Sequence, residues 1–216
     1  SMQSKRDFFV TILERFAGCP WQVFVERLLG SGLVEDPSRR LPGLDRRILG
    51  NVVHDVLNEI AREQGAPAYG ELGAGSSSGG VAVLFPKPED LERMTRKQSA
   101  RHWATMFPGY PDLAGLVLNQ ALLYLDEARR LDWGDRDSAL EVIGTEMQAY
   151  SQVVDNQGES REIRFRVDRV HSQDGALVLT DYKTGRAFST ALGEATRRKH
   201  FLSVVRKGQA LQAMAW

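Results

Sequence analysis

Asp181 and Lys183 stand two positions apart in the stretch VLTDYKTGR, at the end of an apolar run. Side chains on a strand alternate between faces, so the two share a face and Tyr182 takes the other. An acid beside an ammonium suits phosphoryl chemistry. Hydrolysis of a phosphodiester calls for a metal that activates water and offsets the charge gathering on the phosphoryl oxygens. Mg²⁺ takes oxygen ligands, usually one or two carboxylates with waters and substrate phosphate. A second acid, Asp168, lies upstream in REIRFRVDRV. On spacing alone, Asp-x-Lys fits a same-face ion pair more often than a metal site, so the rest of the chain must decide.

The elements that would position these groups are legible. Ile163, Phe165 and Val167 alternate with Arg164, Arg166 and Asp168, the pattern of a half-buried strand. SQDG at 172–175 reads as a turn, and ALVLTDYK returns as the next strand. The result is a hairpin with Asp168 on one arm and Asp181 on the other. Residues 139–154 form an earlier alternating run.

Before Trp133-Gly134 the pattern is helical. Residues 6–29 read as two helices joined at Ala17–Pro20, because proline breaks or restarts a helix. Residues 31–43 read as loop. The clearest helix is 44–64, with Leu49, Val53, Val56, Leu57 and Ile60 on one stripe and His54 on its flank. Residues 70–80, GELGAGSSSGG, have little to bury and read as a flexible loop. Two further helices fit 88–106 and 111–131, with Trp103, Met106, Leu116, Leu123 and Leu131 expected in the core. A last helix is expected over 203–216.

Composition sets bounds. The 216 residues have zero formal net charge, 42% hydrophobic and 26% charged content, the profile of a globular chain. Zero net charge speaks against holding nucleic acid by bulk charge. Residues 161–216, however, carry eleven basic against five acidic side chains, which makes that quarter the candidate anion-facing part. Cys19 is the lone cysteine, so no disulfide framework exists. No apolar run reaches the ~18 residues of a membrane span. A cytoplasmic setting without membrane contact is expected. The Ser1-Met2 start and the stop at LQAMAW suggest a piece cut from a longer protein.

RVDRV…LVLTDYKTGR resembles the paired motifs of the RecB-type nuclease branch of the PD-(D/E)xK superfamily. LGNVVHDVLNEI at 49–60 resembles that family's helix, with Gly50, then His54, then Leu57. LQAMAW resembles its Gln-x-x-x-Tyr motif, with Trp216 in the tyrosine place. FAGCPWQVF resembles its opening motif, an aromatic followed by Cys-Pro. Two departures are Trp216 itself and Phe165, where the family often has glycine.

The resemblance implies a restriction-endonuclease-like α/β core: a central mixed sheet flanked by helices, with a mostly helical N-terminal half. Residues 1–133 would carry the His helix and 134–216 the nuclease core, together one compact domain. It implies Asp168, Asp181, His54 and the Tyr182 carbonyl as ligands of Mg²⁺ or Mn²⁺. Lys183 would orient water or stabilise the transition state. Gln212 would hold the site or the DNA backbone, and Arg186 would contact nucleic acid. Arg169 would pair with an acid or a phosphate. Glu146 matches a commonly acidic position, where an ion pair fits as well as a metal role. Cys19-Pro20 resembles the first cysteine of the iron–sulfur subset of the AddB kind. One thiolate cannot ligate a cluster within this chain, and a buried small residue is the simpler reading of Cys19.

The function implied is metal-dependent hydrolysis of DNA at single-stranded or duplex ends, an exonuclease of recombination or repair, with a helicase domain or subunit as partner. Two rivals stay open: a DNA-binding scaffold with a decayed site, and an RNA-acting nuclease. A nucleotide-binding enzyme finds no phosphate-loop motif.

Overall fold

The structure, a computed structural model, describes residues 8–27, 29–31, 45–70, 79–134, 138–154, 157–184, 189, 191 and 193–207. The elements are β1 (Phe8–Phe9), α1 (Val10–Gly18), α2 (Pro20–Arg27), α3 (Arg46–Glu63), β2 (Val81–Leu84), α4 (Pro88–Met106), α5 (Ala114–Ala128), β3 (Ala139–Val154), β4 (Ser160–Gln173), β5 (Ala176–Thr180) and α6 (Glu194–Arg206). The strand order is β1-β4-β3-β2, and β5 also pairs with β4. The β1–β4 pairing is parallel; β2–β3 and β4–β5 are antiparallel. This mixed sheet with helices is the α/β architecture that the resemblance implies.

The chain divides into two compact units: Ser1–Val34 with Gln148–Arg166 and Arg186–Trp216, and Glu35–Met147 with Val167–Gly185. In the first, α1 and α2 break at Cys19 as the proline dictates. Phe8 and Phe9 pair with Ile163 and Arg164 as a short strand, where helix had been expected. Cys19 is exposed, which corrects its reading as a buried residue. α6 begins at Glu194, ahead of the expected 203, and residues 208–216 lie outside the described ones.

The second unit holds the core. Asp45 caps α3, its side chain accepting from Arg47 N at 2.7 Å. Gly65, at φ 94°, closes the helix, with Gly65 N–H donating to Arg62 O and Ala66 N–H to Ala61 O, the paired bonds of a Schellman ending. Val52, Val53, Val56, Leu57 and Ile60 are buried and pack with α4, α5, Val83 and Trp103. Burying each such side chain contributes about 1.5–3 kcal/mol.

On α5 the buried face is Val117, Leu118, Ala121, Leu125 and Ala128. Leu116, Leu123 and Leu131 are 52%, 64% and 76% exposed, against expectation. Apolar residues ring most of this helix, so spacing offered more than one stripe. Four residues at β2 were too short a run to signal a strand beside the Gly/Ser segment, of which 71–78 lie outside the described residues. Among the described residues no helix is long and apolar enough to cross a membrane.

Candidate metal centre

Every group described next belongs to the second unit. The expected hairpin forms, paired from Arg169 opposite Thr180 to Gln173 opposite Ala176; its turn is shorter than the expected 172–175, and β5 ends at Thr180, so Asp181–Lys183 follow the strand instead of continuing it. The turn, Asp174-Gly175, has φ of 51° and 78°. Two consecutive positive φ values match strand twist, and Asp-Gly adopts them most readily. The hairpin sets Asp168 near the loop that carries Asp181, Tyr182 and Lys183.

β3 contributes through an irregularity. Leu140, Val142 and Gly144 are buried, and then Thr145 and Met147, so the inward parity changes at Thr145–Glu146. Glu146 has φ 53°, a left-handed conformation uncommon outside glycine. The segment after α3 holds this bend: Thr145 N–H donates to Pro67 O at 2.9 Å, and Tyr69 N–H donates to Thr145 O at 3.0 Å. The Thr145 hydroxyl also donates to Asn58 Oδ1 of α3 at 2.6 Å. Such over-determination is what keeps a strained residue in place at functional sites.

His54, Glu146 and Asp168 converge: one ligand atom from each lies within 4.8 Å of the others. They line a cavity of about 10 Å³ with Asn58 and Thr145, room for a single ion or water. His54 Nδ1 is 3.3 Å from Asp168 Oδ2, and Nε2 donates to the Tyr182 carbonyl at 2.6 Å. Burial pulls the imidazole pKa down, yet the Asp168 carboxylate and the Tyr182 carbonyl more than offset it, and the net shift is upward. The cavity therefore favours positive charge. One imidazole and two carboxylates form a donor set that fits a divalent cation such as Mg²⁺ or Mn²⁺.

Asp181 stands beside this trio. Its Oδ2 lies 2.6 Å from Lys183 Nζ, so the same-face ion pair exists alongside the acidic cluster. Burial pushes the Asp181 carboxyl up; Lys183 opposes the shift and Asp168 adds to it. The Lys183 side chain is 70% exposed and reaches solvent. Glu146, read with two alternatives, sits in the cluster. Gln212 and Arg186 lie outside the described residues.

Tyr182 ties the site together. Its N–H donates to Asp168 Oδ2 at 2.6 Å and its carbonyl takes the His54 bond. Its ring turns to the other face, where the phenol donates to Asp132 Oδ2 at 3.3 Å and burial raises its pKa far above the usual value. Arg169 lies there too, 2% exposed, its guanidinium 5.0 Å from the Trp133 ring centre and 5.3 Å from that of Tyr182. Arg169 Nη2 donates to the same Asp132 oxygen at 3.0 Å. Of the two partners expected for Arg169, the structure supplies the acid. Arg169 also lines the cavity of His54, Glu146 and Asp168, and its burial leaves little of the guanidinium open to solvent.

Asp132 and Trp133 carry no motif and were not anticipated. They occupy Arg129–Trp133, a π-helical turn that ends α5. Such turns are rare and recur at functional sites. This one delivers an acid and a ring beneath the hairpin. Gly50 explains its place in the motif: a Cβ there would come 3.0 Å from Thr184 Oγ1, so α3 lies against the end of the loop after β5.

A comparison with curated proteins returned no match. Residues 9–208 match the family described as the PD-(D/E)XK nuclease superfamily. The chain belongs to that superfamily, and membership implies hydrolytic nuclease activity that uses a divalent metal ion.

Proposed function

We propose that this member of the superfamily is a Mg²⁺- or Mn²⁺-dependent deoxyribonuclease of the RecB-type, AddB-like branch. It acts as an exonuclease on single-stranded DNA ends in recombination or repair, alongside a helicase domain or subunit. One observation carries the reading: the convergence of His54, Glu146 and Asp168 beside the Asp181–Lys183 pair.

In this reading His54, Glu146 and Asp168 hold the cation, with Asp181 and the Tyr182 carbonyl adjoining. When bound, the ion supplies an acidified water and offsets phosphoryl charge. The chain's own groups do the rest. Tyr182 fixes Asp168 and His54 through its backbone. Lys183, exposed and cationic, meets the scissile phosphate and stabilises the charge that develops there. Gln212 and Arg186 hold the DNA backbone.

The test is cleavage of end-labelled single-stranded DNA, duplex DNA and RNA with Mg²⁺ or Mn²⁺. Asp168→Ala and Asp181→Ala abolish cleavage, and Lys183→Ala costs roughly 10²-fold. Activity surviving Asp181→Ala overturns the reading. Circular substrates separate exonuclease from endonuclease. A scaffold with a decayed site would show no Mn²⁺ binding that depends on Asp168 and Glu146 in titration calorimetry.

A further inference from the structure

A second cavity, about 260 Å³, opens beside the catalytic loop. Asp181 and Lys183 are among the residues that line it, as are Tyr124 and Leu131 and the acids Glu127 and Asp132. All belong to the same compact unit. The Tyr124 phenol donates to Thr184 O at 3.4 Å, which pins the ring while leaving the residue 39% exposed. Leu131 is 76% exposed. Neither side chain has a part in the metal centre, and neither joins the apolar core.

We propose that this cavity seats a nucleobase, that of the nucleotide next to the scissile phosphate, with its face on Tyr124 and its edge against Leu131. The proposal rests on the nuclease reading above. Its occupant is constrained by continuity: whatever enters is attached to the group held at Asp181 and Lys183. One sugar away from a phosphate is a flat ring with an apolar face and a polar edge. A half-open aromatic ring with an aliphatic wall suits that face. Stacking on aromatics tolerates every base, because each has a π-face. The subsite therefore positions the strand without reading its sequence.

The experiment uses fluorescence anisotropy in EDTA, with an oligothymidylate in which a single abasic residue is moved along the strand. The full chain and its Tyr124→Ala, Tyr124→Phe and Leu131→Ala variants are compared. Stacking of one base is worth about 5- to 150-fold in affinity. The unaltered protein loses about tenfold at one abasic position. Tyr124→Ala loses as much on the intact strand and no longer senses that position. Tyr124→Phe keeps the ring and the discrimination. Leu131→Ala, at a site too exposed to threaten folding, lowers affinity for the intact strand and narrows the abasic difference. Equal discrimination by the unaltered protein, Tyr124→Ala and Leu131→Ala overturns the subsite, as does an abasic scan with no positional loss. A protein that shows the Tyr124-dependent difference but cleaves nothing when Mn²⁺ is added keeps the subsite and loses the nuclease reading. One that cleaves without the difference does the reverse.

Discussion

Replacing Asp132 with alanine strands a guanidinium. Arg169 stays charged at any working pH, its side chain is 3% exposed, and Asp132 sits 3.0 Å from it. A weaker contact to Thr180 Oγ1 spans 3.4 Å, while the buried Nε and Nη1 have no hydrogen-bond partner among the described residues. Removing one side of a buried pair costs about 3–5 kcal/mol. Asp132 is 18% exposed, so water enters part of the gap and the lower end applies. Tyr182 loses its acceptor as well, about 1 kcal/mol at most. A loss near 3–4 kcal/mol lowers Tm by about 10 °C in a chain of this size. Asp132→Asn keeps an acceptor without the charge and falls between.

A second readout separates positioning from bulk stability. Tyr182 holds Asp168 and His54 through its backbone, and its ring rests on Arg169. Loosening that ring lets the ligands drift, and partners behind the ligands are worth roughly 10–100-fold in metal affinity. Calorimetry should find Mn²⁺ bound about tenfold more weakly by Asp132→Ala at a temperature where it stays folded. Tyr182→Phe, which removes the phenol and keeps the backbone bonds, should leave Mn²⁺ affinity unchanged. A melting change within the roughly 0.5 kcal/mol of ordinary surface substitutions, with Mn²⁺ affinity intact, would refute the reasoning.

Gly50→Leu places a side chain where even a Cβ lies 3.0 Å from Thr184 Oγ1; leucine favours helix over glycine by almost 1 kcal/mol, so cleavage should fall more than Tm does. His171, 4% exposed, has its pKa lowered by burial and then by the charge of Arg169. The neutral imidazole is the folded form, so stability is intact above the unfolded value of about 6.5 and is lost as pH falls toward the folded pKa. Melts between pH 7.5 and 5 should slope less in His171→Gln, and parallel slopes would defeat the assignment.

The elements that carry these residues could be read because they are regular: alternation put Asp168 on a strand and periodicity put His54 on the flank of a helix. Their roles as ligands came from the family resemblance, since spacing alone favours an ordinary histidine at the edge of the core. Glu146 resisted a single reading because a left-handed residue re-aims it, and alternation cannot anticipate a change of parity. Asp132 resisted because nothing in RRLDWG marks a π turn; its only signal was an acid and a tryptophan ahead of Gly134. The α5 face was misjudged for a different reason. Periodicity selects a face only when the opposite one is polar, and Leu116, Leu123 and Leu131 make both faces apolar.

Tyr182 answers why an aromatic stands between the acid and the base. The loop after β5 runs between two different environments: cation-seeking on one face, and a buried guanidinium on the other. Asp181 and Lys183 pair with each other on the first, and the Tyr182 ring covers the second. A small residue there would leave Arg169 with Trp133 on one side and a void on the other, a state as costly as any unfilled core position. A charged one would add a second ion to a site with a single acid. A ring fills the space, accepts the cation on its face, and sends its phenol to the same oxygen that neutralises Arg169. With the ring wedged, the peptide of Tyr182 is fixed, and that peptide donates to Asp168 and accepts from His54. The precision of the donor set thus originates in the packing of the Tyr182 ring against Arg169 and Asp132.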